Sequence, residues 1–143
     1  MNLKAARRLR EHPPLLPFVL AVGVTGHRQG ALPIEAIDQL EKQLTSIFSD
    51  LKARTAAIHS ANAEFFNGTP ARLILHSSLA DGTDQIAAAI ALEMGFELHA
   101  ILPFESERYR SDMIDDRARE RLDGLLHEAT GVLELPGGPD DAL

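Results

Sequence analysis

Residues 18–24 read FVLAVGV and are followed at once by Thr25 and Gly26. A continuous apolar run of this length, rich in β-branched residues and ended by a turn, is typical of a strand that is buried on both faces in a parallel sheet. Three further apolar runs follow, at residues 73–76, 97–102 and 132–135. The sequence therefore predicts four strands of one sheet.

Helical periodicity fills the intervals between these strands. Apolar residues recur at steps of three and four from Ile34 to about residue 60, directly after Pro33, a residue favoured at the first helical position. A second helix is expected to end at Gly95 as its left-handed cap, and a third, charged helix is expected over residues 107–129. The alternation predicts an α/β fold: a three-layer sandwich with a mainly parallel sheet, right-handed crossovers and helices on both faces.

The chain ends directly after a loop that follows the fourth apolar run. We therefore expect it to lack C-terminal elements that longer relatives have, or to have an exposed side that a partner subunit covers in a homodimer.

Composition fits one globular domain and argues against several functional classes. The chain has 143 residues, with 14 Lys and Arg against 21 Asp and Glu and a net charge of −7, which argues against a nucleic-acid partner. It has no cysteine and no paired histidine spacing, so neither a metal site nor a cofactor is expected. No apolar run reaches the ~18–20 residues of a membrane span. We expect a cytoplasmic protein without a membrane partner.

The N-terminal segment is basic, carrying Lys4, Arg7, Arg8 and Arg10 against Glu11 alone. We expect residues 1–14 to be a basic flexible arm and residues 15–143 to be a single domain. A basic start before an apolar run also resembles a signal peptide. However, Pro17 interrupts the run, and no small-x-small cleavage site follows.

Ligands of open α/β sheets bind at the carboxyl ends of the strands, and the first such end carries Thr25, Gly26, His27 and Arg28. Backbone N–H groups in this loop can donate to phosphate oxygens, and Arg28 can bind a phosphate with two parallel hydrogen bonds. The segment is neither a Walker A loop nor a G-x-G-x-x-G fingerprint. A tight strand-to-helix turn with a solvated arginine also explains it.

The second strand end carries Ser77, Ser78, Asp81, Gly82 and Asp84. The spacing of Ser78 and Asp81 fits a capping box at the start of a helix. Carboxylates repel a phosphate, so their natural targets are sugar hydroxyls or an amine on a base. Asp81 and Asp84 are therefore predicted to contact the sugar or the base of a ligand.

The third strand end carries Phe104 and Tyr109, which fit a pocket for a base, although both also fit the protein core. His76 ends the second strand and could contact a ligand, but a buried histidine with hydrogen-bond partners is the favoured interpretation.

Three blocks taken together resemble the SLOG superfamily, which includes DNA-processing protein A and the LOG phosphoribohydrolases. They are residues 22–28 (VGVTGHR), 77–88 (SSLADGTDQIAA) and 98–113 (LHAILPFESERYRSDM), and the similarity is greatest to bacterial members with a TGHR-type first loop. The resemblance implies that residues 15–143 are a single Rossmann-like nucleotide-binding domain, which binds a nucleotide at the first two loops. Carried over by motif, the resemblance implies that the phosphate side would be formed by Thr25, Gly26, His27 and Arg28. It implies that the sugar side would be formed by Ser78, Asp81, Gly82 and Asp84.

The sequence departs from this family at two places. Ser77 and Ser78 replace the glycine-rich start of the second loop. The phosphoribohydrolases carry P-G-G-x-G-T-x-x-E with a catalytic glutamate, whereas here residues 136–138 (PGG) are followed by neither Gly-Thr nor glutamate. A plain turn is therefore favoured at this point.

The function favoured by these observations is the binding or sensing of a nucleotide or a nucleotide-derived ligand. The alternative is hydrolysis of a nucleotide N-glycosidic bond with Asp81 or Asp84 as the acid or base, so whether the protein is an enzyme stays open. A helix N-terminus is expected to lower the pKa of these carboxylates, which favours binding. Single-stranded DNA binding would require a basic groove and stacking aromatics, and the acidic charge argues against it.

Overall fold

The computed structural model describes residues 13–138, and its centre is a four-stranded, all-parallel sheet in the order β1-β2-β3-β4. The elements in chain order are β1 Val19–Gly23, α1 Ile34–Ala61, β2 Arg72–Ser77, α2 Thr83–Glu93, β3 Glu97–Leu102, α3 Ser106–Ser111, α4 Asp116–Glu128 and β4 Gly131–Glu134. The expected α/β class with a parallel sheet is confirmed, and the architecture is consistent with a Rossmann-like fold. The expected arm falls largely on residues 1–12, outside the described residues.

The hydrophobic core lies between one face of the sheet and the helices. Leu75, Leu98 and Leu102 point inward from β2 and β3. Helix α2 contributes three fully buried alanines, Ala87, Ala88 and Ala91. These small side chains let the helix lie close to the sheet, and α1 and α4 flank it.

The opposite face of the sheet is not covered by any helix among residues 13–138. Helix α2 contacts both α1 and α4, so these three helices form one layer. A sheet whose strands follow chain order with crossovers of one hand places every crossover on the same side. Val19 and Leu133 are consequently exposed. Of the three expected layers, residues 13–138 thus supply two, the sheet and one helix layer. Strand β1 is therefore not buried on both faces as expected.

A single row of residues crosses this open face from strand to strand: Gly23, His76, His99 and Gly131. The rings of His76 and His99 meet edge to face with centroids 5.2 Å apart. His76 is therefore half-buried against another histidine on the open face, not inside the core.

The helix expected over residues 107–129 is interrupted between α3 and α4. Asp115 has extended backbone angles, and its side chain accepts a hydrogen bond from Ala118 N at 2.7 Å, which starts α4. An aspartate at this position competes with helix continuation because its side chain satisfies a free N–H group. The prediction of one continuous helix was therefore wrong.

Within residues 13–138, no helix has the length and apolar character needed to cross a membrane. The homodimer stays a prediction.

Candidate functional site

Two loops meet at the carboxyl edge of the sheet, as the sequence predicts. Loop A is defined as residues 24–30, after β1, and loop B as residues 77–84, from the last residue of β2 to the first turn of α2. Gln29 N donates to Asp81 O at 3.0 Å, and Thr83 N donates to His27 O at 3.1 Å. Arg28 and Gly82 form an antiparallel bridge between the loops. Loops A and B therefore form one unit joined by backbone hydrogen bonds.

Two glycines explain how the loops approach so closely. Gly82 has φ +105°, and a Cβ atom there would lie 2.5 Å from Gln29 N and 2.6 Å from His27 O. A Cβ atom on Gly26 would lie 2.5 Å from the Cβ of Thr83. In the structure these two glycines bring one loop near the other.

Arg28 bridges two aspartates at this edge. Its Nη1 donates to Asp81 Oδ1 at 3.2 Å, and its Nη2 donates to Asp112 Oδ2 at 2.9 Å. Asp81 is buried, whereas Arg28 and Asp112 are both about half-exposed. The predicted phosphate ligand Arg28 therefore lies at the surface with its guanidinium already held by carboxylates.

Asp84 lies inside the junction of the two loops and is 5% exposed. Its carboxylate accepts hydrogen bonds from Ser78 Oγ at 2.7 Å and from the backbone N–H groups of Gly26 and Ala80. The capping box expected for Ser78 and Asp81 is absent, because Ser78 binds Asp84 and the α2 N-cap is Gly82 without a side-chain bond.

Burial raises the pKa of the Asp84 carboxyl above its ordinary value, although the hydrogen bonds from Ser78, Gly26 and Ala80 oppose that rise. The sequence argument expects a helix N-terminus to lower the pKa. That expectation was wrong for Asp84, because loop A covers the carboxylate and removes it from water.

Phe104 and Tyr109 are buried and pack edge to face, with ring centroids 5.4 Å apart. The Tyr109 hydroxyl hydrogen-bonds to Ser78, and burial raises the pKa of Tyr109. Of the predicted sugar and base residues, Ser77, Asp81, Gly82, Asp84, Phe104 and Tyr109 are buried, and only Ser78 is partly exposed. The structure brings these residues together. Most of them, however, are packed in the interior beneath the site and are not exposed to a ligand.

Two residues that stabilise the conformation of loop B were not predicted from the sequence. Leu79 is fully buried and has φ +57°, the one positive φ at a non-glycine residue within residues 13–138. The Gln85 amide Nε2 donates to Leu79 O at 3.2 Å and to Ala118 O at 3.1 Å, so it ties this strained turn to α4. No local pattern marks either residue, since both depend on contacts distant in sequence.

A groove of about 340 Å³ lies on the other side of loop A, between that loop and α1. Its lining is Gly26, His27, Leu32, Ala36, Gln39, Leu40, Gln43 and Thr83. Gln39 and Gln43 are four residues apart, on one face of α1, and both are exposed. The groove thus combines apolar side chains with amides that can both donate and accept hydrogen bonds.

Thr25, Gly26 and His27 are all exposed in loop A. Within residues 13–138, no group of three or more His, Asp or Glu side chains is placed to hold a metal ion.

No protein-family model matches the sequence, and no curated protein matches it. The fold and the edge site define an α/β protein with a parallel Rossmann-like sheet and two joined loops at its carboxyl edge.

Proposed function

We propose that this protein binds or senses a nucleotide-derived ligand at loops A and B. The proposal depends mainly on Arg28, which is half-exposed at the carboxyl edge of a parallel sheet. Arg28 belongs to loop A, and backbone hydrogen bonds fix loop A to loop B. This edge is where open α/β sheets bind their ligands. The resemblance of the three sequence blocks to the SLOG superfamily supports the same assignment.

The phosphate end of the ligand is assigned to loop A. Thr25 and His27 are exposed beside Arg28, so hydroxyl, imidazole and guanidinium donors lie within four residues of one loop. An arginine can donate two parallel hydrogen bonds to a phosphate, and such charge-assisted bonds are about twice as strong as neutral ones.

The nucleoside end is assigned to the groove between loop A and α1. The Phe104 and Tyr109 rings are packed against each other, so they offer no open face to a base. The groove volume of about 340 Å³ lies within the usual range for small-ligand sites. Leu40 offers an apolar wall, and Gln39 and Gln43 offer amides for the edge of a base.

A thermal-shift screen against nucleotides, nucleotide sugars and cyclic dinucleotides tests this function. A ligand at 100 times its dissociation constant stabilises the folded state by about 2.7 kcal/mol, which is readily visible for a small domain. We expect a phosphorylated nucleoside to raise Tm in the wild type and to raise it less in Gln43→Ala. Lys42→Ala is the matched control because it alters the neighbouring α1 residue outside the groove lining. A complete lack of response across all three ligand classes would contradict the proposal.

Hydrolysis of an N-glycosidic bond is the second candidate, and the raised pKa of Asp84 favours it. A general acid must hold its proton near neutral pH, and burial of a carboxyl group moves its pKa in that direction. Incubation with nucleoside monophosphates followed by chromatography would detect free base and ribose phosphate. Release by the wild type and not by Asp84→Asn supports catalysis, and no release by either supports binding alone.

A cytoplasmic location and a homodimer complete the proposal. The apolar side chains on the open sheet face, such as Val19 and Leu133, support self-association. Light scattering coupled to size exclusion would measure the mass, and a mass of one chain at high concentration would contradict the dimer.

A further inference from the structure

The two carboxylates that hold Arg28 differ in their access to solvent. Asp81 is 2% exposed and belongs to loop B, whereas Asp112 is 49% exposed and lies in the turn between α3 and α4. Arg28 itself is 48% exposed. Asp81 therefore holds the guanidinium from the buried interior of the site. Asp112 contacts it at the surface from a separate segment of the chain.

We infer that Asp112 is an exchangeable internal competitor: an anionic ligand at Arg28 displaces it, and its release transmits ligand occupancy to the turn at residues 112–115. This inference rests on the proposed function and adds its regulation. A ligand phosphate and the Asp112 carboxylate require the same Nη2 donor of Arg28, so both cannot occupy it in the same way.

The energetics permit this exchange. Ion pairs between half-exposed side chains are weak, so a bound phosphate can replace the Asp112 contact. The buried Asp81 keeps its hydrogen bond to Nη1 and continues to orient the guanidinium. An anion can bind only those molecules in which Asp112 has released Arg28. The apparent affinity for every anion therefore equals the intrinsic affinity multiplied by the fraction of such molecules.

The turn can respond without loss of the fold. The backbone N–H of Asp112 bonds to Tyr109 O at 3.1 Å, and this contact does not involve the side chain. Asp115 starts α4 through its own side chain, three residues further on. Release of the Asp112 carboxylate therefore removes its hydrogen bond to loop A and leaves both flanking helix ends bonded.

The test is an NMR titration of the full chain with methyl phosphate, following the amide signals of residues 26–28 and 112–115. Wild type, Asp112→Asn, Arg28→Ala and Asp123→Asn are compared at one low ionic strength. Asp123 is the matched control because it is also 49% exposed and pairs at 2.9 Å with Arg110 instead of with Arg28. Both aspartate variants change the net charge by the same amount.

Asp112→Asn is expected to bind methyl phosphate about two- to five-fold more tightly, as removal of a surface ion pair implies, whereas Asp123→Asn matches the wild type. Signals of residues 112–115 should shift on binding in the wild type and should already lie near their bound positions in Asp112→Asn. Unchanged or weaker binding by Asp112→Asn would overturn the inference. So would amide signals of residues 112–115 that do not shift when the wild type binds methyl phosphate.

The variants separate this inference from the proposed function. Binding that survives intact in Arg28→Ala overturns the phosphate assignment itself. Binding lost in Arg28→Ala but unchanged in Asp112→Asn overturns only the competitor. Binding detected in Asp112→Asn and not in the wild type supports the competitor, and no binding by either overturns both.

Discussion

Replacing Gly82 with alanine tests the contact between loops A and B directly. The residue has φ +105° and ψ −128°, a region open almost only to glycine, and holding another residue there costs about 1–3 kcal/mol. The new Cβ would also meet backbone atoms of Gln29 and His27 at 2.5 and 2.6 Å, so loop A must move. That movement breaks two interloop hydrogen bonds, each worth about 1 kcal/mol. The free energy of unfolding should therefore fall by about 3–5 kcal/mol, a large part of the roughly 5–15 kcal/mol that domains have.

Urea unfolding followed by circular dichroism measures this change. Gly124→Ala is the control, since a Cβ atom there meets nothing within 4 Å and the residue lies inside α4. It should be neutral or should stabilise the protein by up to about 1 kcal/mol, because alanine favours helix more than glycine does. A Gly82→Ala variant within 1 kcal/mol of the wild type would refute the close loop contact.

Three further changes test the interior of the site. Because burial raises the pKa of Asp84, the folded state binds that proton more tightly; the wild type should therefore lose stability relative to Asp84→Asn as pH rises from about 4 through the raised pKa. Urea unfolding at several pH values measures the slope, and the opposite sign would refute the assignment. Gln85→Leu leaves the carbonyls of Leu79 and Ala118 without their donor and should lower the free energy of unfolding by about 2–3 kcal/mol. Full stability of that variant in the same assay would contradict the role given to the amide. Tyr109→Phe keeps the ring packing and removes one hydroxyl contact, so thermal melts should show a loss of about 1 kcal/mol, and a loss several times larger would count against this reading.

Local patterns in the sequence were sufficient for the order of the four strands and of the first two helices. The apolar run at residues 18–24 predicted β1, and the three- and four-residue steps after Pro33 predicted α1 almost to its end. Gly95 has φ +85°, as the left-handed cap requires. These features depend on neighbouring residues, which is why they can be read without tertiary contacts.

Features that depend on distant contacts could not be read in the same way. The burial of Asp84 depends on loop A, which lies more than fifty residues earlier in the chain. The pairing of Arg28 with Asp112 joins the first loop to the turn after α3. Strand order decides which sheet face the helices cover, and alternation along the chain does not specify that order. Sequence reasoning therefore located the site residues near one another but could not assign which were exposed.

The preference for a nucleotide over its parent nucleoside, measured by calorimetry in the wild type and in Arg28→Ala, tests the central claim most directly. Loss of a charge-assisted phosphate contact costs about 1.5–3 kcal/mol, so the preference should fall by roughly 10- to 150-fold while the affinity for the nucleoside stays nearly constant. The same preference in both proteins would contradict the assignment of Arg28 to the phosphate.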